Sequence, residues 1–497
     1  MATSPFQRAG VRSPLVWFKC WIPLLVILVW PSMAQAGTAV RHRLLEGSLF
    51  IDDCPPCGRP TIPLRLRGTF DLERIEENPL FARYALQNID WTTADYGGGI
   101  VRITGTGLLK IGGEVALTQE LRLDVTVAMV GTNIARHFTN ELVGVTRPWP
   151  NLAVDLIAEE QTFTQLFHLS IRSIPLRELW FVTANGFTPG IGGLPIGNYR
   201  PAGDVLSLDG RVVVENERMT SRLGLMPVVP PLAVDAFDVL PGGIPVFSLR
   251  DPVFSETLGD LPSGTLLTAE GKVYRRAGEL LEPFHPVPVP VTDPGVDAVQ
   301  VMDDGEVIFS TNISVPVEGG VLDHGDVLGS QGRVVRRFKD LVAAFEPQFV
   351  PGAADAGVDA LHVWPHGEIW FSVAQEFNSA TVGSVRQGDI VSDGGWVVYR
   401  NLELLEGFQP LEDLADFGLT GLFLVTDAGT HPEGAVLTPP QVEEDVLLEW
   451  KGPGRVFQVE FSPAWELPFQ PNSPVLPDRV WSVGKPGNEG WYRVRSW

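Results

Sequence analysis

VDALHVWPHGEIWFS, from Val358 to Ser372, is the stretch on which the fold turns. An apolar strand ends at a proline-containing turn, and a second apolar strand returns from Gly367. The same pattern stands at VDAVQVMDDGEVIFS (from Val296) and, with changes, at VDAFDVLPGGIPVFS (from Val234). A fourth copy of the second half, RELWFV, starts at Arg177. Trp180, Val246, Ile308 and Trp370 share one position, at spacings of 66, 62 and 62 residues. So regular a period defines a repeated structural unit.

Each copy continues with two short apolar strands around a turn: GDVLSLDGRVVVEN, GTLLTAEGKVYRR, GDVLGSQGRVVRR and GDIVSDGGWVVYR. Gly210, Gly271, Gly332 and Gly394 are expected to take positive φ in these turns. A charged segment follows, GELLEPF, KDLVAAF or LELLEGF, either a helical turn or a loop. About four strands per unit is the arithmetic of a β-propeller blade. The repeat opens on ELWFV and closes on an extra, degenerate copy of the VDAL strand near Leu419 to Asp427. That last strand can close a ring against Trp180; the alternative is a linear β-stack, which would need capped ends.

Outward from the repeat, the segments TIPLRLRGTFDL, LFARYALQNIDW, GIVRITGTGLLKI and EVALTQELRLDVTV alternate with period two, the pattern of half-buried strands. Residues 37–175 therefore read as a β-sandwich or open barrel of about seven or eight strands. Residues 176–430 hold the four units. Residues 439–497 alternate again in DVLLEWKG, RVFQVEFS and GWYRVRSW, as in a small sandwich of fibronectin type. Its run ELPFQPNSPVLPD must be loop or edge, because proline cannot donate to a central ladder. The fold class is all-β.

Residues 1–36 read as an export signal: Arg8, Arg12 and Lys19, then the apolar WIPLLVILVW, then the small-residue site AQA ending at Ala36. The apolar run of ten is short for a span, which needs about 20 residues. The expectation is a secreted or periplasmic protein, with no membrane insertion after signal cleavage. Loss of three positive charges and no acid takes the formal net charge from −23 to −26. Such a surface repels nucleic acid and anionic lipid.

Cys54 and Cys57 lie in DDCPPCGRP. The CPPC motif resembles that of thioredoxin-like thiol oxidoreductases, whose reactive cysteine starts a helix. Here Pro60 and Pro63 forbid a helix, and the chain beyond alternates like a strand. A zinc site wants four ligands, and two cysteines supply two. In an oxidising compartment the pair is expected to form a local Cys54–Cys57 disulfide.

The repeat, the DDCPPC head and the YRVRSW tail together resemble a family of secreted bacterial multidomain β-repeat proteins without an assigned activity. The resemblance covers nearly the whole mature chain, and its motifs are architectural, so it implies no catalytic residue.

Among candidate groups, His362 and His366 flank a turn-forming Pro365 and read as strand and turn residues. Repeated acids, Asp235, Asp297 and Asp359 in VDA and Asp204, Asp326 and Asp389 in GD, suit either calcium or turn capping. The D-x-D-x-D-G spacing of a calcium loop is absent and one copy has Thr265, which favours capping. No G-x-S-x-G, H-E-x-x-H or P-loop is present. No catalytic residue, metal ligand or cofactor is expected. Trp370 sits at the recurrent core position, whereas Trp364 and Trp396 replace smaller or polar residues and are the candidate binding residues. The preferred reading is a secreted non-catalytic binding or structural protein, its ligand a glycan or a cell-surface protein. The alternative is a polysaccharide-active enzyme in the ring, which divergence of one copy at inward-facing polar positions would favour.

Overall fold

The computed structural model describes residues 39–58, 61, 63–94, 99–114, 116–162, 165–226, 231–288, 293–349, 355–428, 435–438, 441–442, 446–483 and 490–497. The expected leader, residues 1–36, and Pro60 lie outside them. The described chain is all-β, with a barrel, a ring of four blades and a small C-terminal module.

The N-terminal sheet closes on itself. Val40–Leu44 and Leu49–Asp53 act as one bulged stave, and Pro63–Arg65 and Arg67–Glu77 as the next. Phe81–Ala94, Ile100–Gly112, Thr118–Met129, Thr132–Thr139, Leu152–Ala158 and Leu166–Ile174 follow as an antiparallel meander. The last stave pairs with the first at Arg43↔Ile174 and Leu49↔Ser170, so the expected sandwich or open barrel is a closed barrel. Closure leaves no long unpaired edge. Alternation sets the inside: Leu121, Leu123, Val125 and Val127 are buried while Arg122, Asp124 and Thr126 face water. Phe50, Phe70, Trp91, Phe138 and Phe167 fill the centre. Gly68 (φ +128°) allows the tight barrel bend, since a Cβ there would lie 2.0 Å from the Asp90 carbonyl oxygen.

The repeat closes as well. Three blades run in chain order from the axis outward: Val234–Leu240 to Lys272–Arg276, Val299–Val301 to Arg333–Arg336, and Ala360–Val363 to Trp396–Tyr399. The remaining blade takes three strands from the start of the repeat and its innermost strand, Gly421–Val425, from the end. There Trp180 pairs with Phe423. Each innermost strand lies beside two others around the axis.

A belt of buried hydroxyls ties the blades together. Ser248 donates to the Val296 carbonyl (2.9 Å), Ser310 to Val358 (2.6 Å) and Ser372 to Leu419 (3.2 Å). The first blade has Val182 at the serine position, and Thr420 completes the belt by donating to Val234 (2.8 Å). Every bond crosses from one blade to the next. Such buried bonds contribute about 1 kcal/mol each and are expensive to leave half-made.

Two local expectations resolve differently. The charged segments are helices, Asn216–Thr220, Ala277–Leu281, Phe338–Leu341 and Asn401–Leu404, each continued by further turns. The GD acids cap three of them: Asp204 accepts from the Asn216 N–H (2.9 Å), Asp326 from Phe338 (3.0 Å) and Asp389 from Asn401 (3.1 Å). In the fourth copy the left-handed turn residue is Gly395 (φ +88°), not Gly394. Trp396 pairs with Ser392 as Lys272 pairs with Thr268, so the second glycine is the one before the returning strand.

The C-terminal module pairs Val446–Lys451 with Val436–Leu437, Gln441–Val442 and Val480–Ser482, and Phe457–Ser462 with Trp491–Ser496 and the two-residue edge Gln470–Pro471. Leu448, Trp450, Phe457, Val459 and Leu476 form its core.

Candidate functional site: the open mouth of the ring

Both flanking domains meet the ring at the far end of its innermost strands, and the barrel also runs along the outer strand of the fourth blade. Barrel Asn151 donates to Glu368 (2.5 Å), Arg147 lies 4.3 Å over Trp396, and Tyr399 donates to the Leu44 carbonyl (3.2 Å). The C-terminal module meets the same end: the Gly242 N–H donates to Gly454 (2.8 Å), and Asp427 gathers Arg177, Arg495 and the Trp497 indole N–H. Arg455 closes that end of the axis, donating to Val239 (2.9 Å) and lying 3.6 Å from Asp238. Behind it Gln300 links to His362 (3.3 Å). Burial pushes the His362 imidazolium down to about 3 and the Asp238 carboxyl up to about 6.

At the other end of the innermost strands stand Asp235, Asp297, Asp359 and, in the degenerate copy, Thr420. Contrary to the capping expected for them, the three VDA acids converge on the axis. The reason is tertiary, since equal positions on the inner strands of a closed ring must face one another. Asp297 and Asp359 hydrogen-bond each other. Asn312 bridges Asp235 (2.7 Å) and Asp297 (3.3 Å), while Arg250 sits 3.5 Å from Asp235 and donates to the Ala184 carbonyl (3.3 Å). Asn312 is exposed and Arg250 half-buried, so the cluster opens to solvent through them.

Burial of these carboxyls opposes their ionisation. It holds Asp297 well above the ordinary carboxylate range, with the charges of Asp359 and Asp235 adding to the effect. It lifts Asp359 to about 7 and raises Asp235 against the pull of Asn312 and Arg250. The surroundings of Asp297 and Asp359 therefore favour the protonated form of this pair. Among the described residues, no group of three or more His, Cys, Asp or Glu is placed to hold a metal ion.

The other expected residues lie elsewhere. Trp364 is 2% exposed, edge-on to Trp370 (5.0 Å) in the core between blades. Trp396 is half-buried beneath Arg147. Neither turns an open face to a ligand; the fourth copy's aromatics serve packing and the barrel seat. Cys54 and Cys57 are disulfide-bonded in the hairpin between the first two staves, around the short 3₁₀ turn Pro55–Cys57.

A cleft of about 540 Å³ along the seam of barrel and fourth blade is lined by Arg65, Arg67, Arg386, Arg400, Glu403 and Glu406, among others. Its charges are internally matched: Arg65 to Glu403 (2.7 Å), Arg67 to Glu403 (3.2 Å) and to Glu406, Arg400 to Asp389 (2.6 Å). It reads as the ionic seam that holds the domains together.

No family model matches the chain, and no curated protein is significantly similar to it. Among solved structures, it is similar to the extracellular domain of a hybrid two-component system, BT3049, from B. thetaiotaomicron, at 9% identity and TM-score 0.20 over 89% of this chain and 84% of that one. The extracellular domain of a second such system from that organism, BT4673, gives 8% identity and TM-score 0.20 over 88% and 74%. Likeness at that level leaves fold and function to be argued from this chain.

Proposed function

We propose that this is an exported, non-catalytic binding protein that takes a glycan or protein ligand at the open mouth of its ring. The observation that carries the reading is the Asp235–Asn312–Asp297–Asp359 chain: acceptors and donors held in fixed geometry, reached through Arg250 and Asn312, on the face that neither flanking domain covers. Export rests on the leader and accords with the disulfide.

The polysaccharide-active alternative needs two carboxyls about 5–5.5 Å apart for retention or about 6.5–9.5 Å for inversion. Asp297 and Asp359 are in direct hydrogen-bond contact, which leaves no room for a sugar or water between them. One copy does diverge at an inward position, but Thr420 has a structural reason: its hydroxyl closes the belt that Val182 leaves open.

The test is a glycan and surface-protein array with the exported chain, run beside polysaccharide-cleavage assays. Asp359→Ala is expected to weaken the array signal at least tenfold. Cleavage of any polysaccharide that Asp359→Ala abolishes would establish the enzyme instead.

A further inference from the structure

The C-terminal module carries a second feature, far along the chain from the mouth. Trp465 is 68% exposed, Trp491 53% and Leu467 50%. The two indoles are 5.6 Å apart with planes at 69°, and Phe469 stands edge-on to Trp465 at 6.3 Å. Arg493 lies 4.5 Å over the Phe469 ring, held by Glu460 (2.5 Å). Trp491, Arg493 and Arg495 alternate along one strand, so they share a face. The inner part of that face is used, because Arg495 stacks 4.9 Å from Trp497 and binds Asp427 of the ring. The outer part, with both tryptophans, is left in water.

Large exposed aromatics in one cluster mark contact sites. Size and charge select the occupant. A stable protein interface needs about 1,200–2,000 Å² in total, far more than three rings and a leucine provide. An acidic chain of net charge −23 repels a second copy of itself, anionic lipid and acidic polymers alike. A neutral saccharide fits: its C–H face packs on an indole, and its hydroxyls find the exposed Arg493 guanidinium, which buried Glu460 holds in place. Two rings at 69° form a corner, which cups one or two sugar units where a coplanar pair would lie under an extended chain.

We infer that Trp465 and Trp491 form a stacking site for a neutral polysaccharide, independent of the ligand at the mouth. Native gel electrophoresis of the full exported chain through gels containing β-glucan, mannan or xylan, with tryptophan fluorescence titration, tests this. Retardation by at least one neutral polymer is expected, with Trp465→Ala and Trp491→Ala each raising Kd at least tenfold. Trp491→Phe should retain most affinity, and Asp359→Ala at the mouth should leave it unchanged. Unaltered thermal melts of the exposed-site variants would show that they fold. The inference is overturned if no neutral polymer retards the protein, or if retardation survives both tryptophan changes. It is also overturned if those changes abolish instead a dimer seen by light scattering or binding to lipid vesicles.

Discussion

Asp297→Asn should stabilise the protein, and by more as pH rises. Folding moves the Asp297 carboxyl from a reference value of 3.8 to well above it, through burial first and then the neighbouring Asp359 and Asp235. A carboxyl whose pKa is raised by folding binds its proton more tightly in the native state. Its contribution is fully present below the unfolded pKa and is lost as pH rises toward the folded value. Between the reference value and the raised one, the cost of keeping this proton in the native state grows with pH. Each further unit adds about 1.4 kcal/mol while the native carboxyl stays protonated.

Asparagine has the shape of the protonated acid. Its N–H can donate to Asp359 while its carbonyl still accepts from Asn312, without taking up a proton. Thermal melts of both proteins from pH 5 to pH 8.5 should therefore diverge. The variant should melt several degrees higher near pH 7, each kcal/mol being about 2–4 °C for a unit of this size. The two should nearly coincide close to pH 4.5. A variant less stable throughout, or a gap independent of pH, would show that Asp297 is ionised in the native mouth and refute the reasoning.

Three further outcomes follow from the same structure. Ser310→Ala leaves the buried Val358 carbonyl without its 2.6 Å partner and should cost about 1–3 kcal/mol in chemical denaturation; Thr420→Val, at the belt's one threonine, should behave alike. Glu368→Ala strips the acceptor from Trp370, Ser392, Asn151 and His366, and should lower stability by about 3 kcal/mol and expose the barrel–ring junction to limited proteolysis. Burial raises the Glu368 pKa, but those bonds outweigh it and the net shift is downward, so its contribution is present at neutral pH and fades as pH falls below the unfolded value of 4.5. Replacing Cys54 and Cys57 together by serine should cost no more than about 2 kcal/mol, since the closed loop is so short, and should leave the circular dichroism of the barrel unchanged.

Much of the architecture is legible along the chain because it depends on local periodicity. Alternation places Leu121 to Val127 inside the barrel, and the extra VDAL-like strand offers a partner for the Trp180–Phe423 closure. The turn glycines at 210, 271 and 332 follow from the returning strands; only the double glycine of the fourth copy is ambiguous, and Gly395 takes the left-handed turn. The site is less legible. Asp235, Asp297 and Asp359 look like the GD acids in sequence, yet one set caps helices and the other meets across the axis. Recurrence at one position of strands around a closed ring was the available signal. Trp364 and Trp396 stand out as substitutions within a repeat, but a departure from the pattern marks domain docking as readily as ligand contact. Trp465 and Trp491 carry no repeat context at all.

The sequence by itself determined the all-β class and the repeat, and favoured the disulfide hairpin, because strand alternation, turn residues and a four-residue loop act over short distances. The tertiary structure alone decided that the first sheet is a closed barrel, that the repeat closes into a ring and which acids meet at its axis. Those depend on groups far apart in the chain being brought together and removed from water, and no local pattern encodes that.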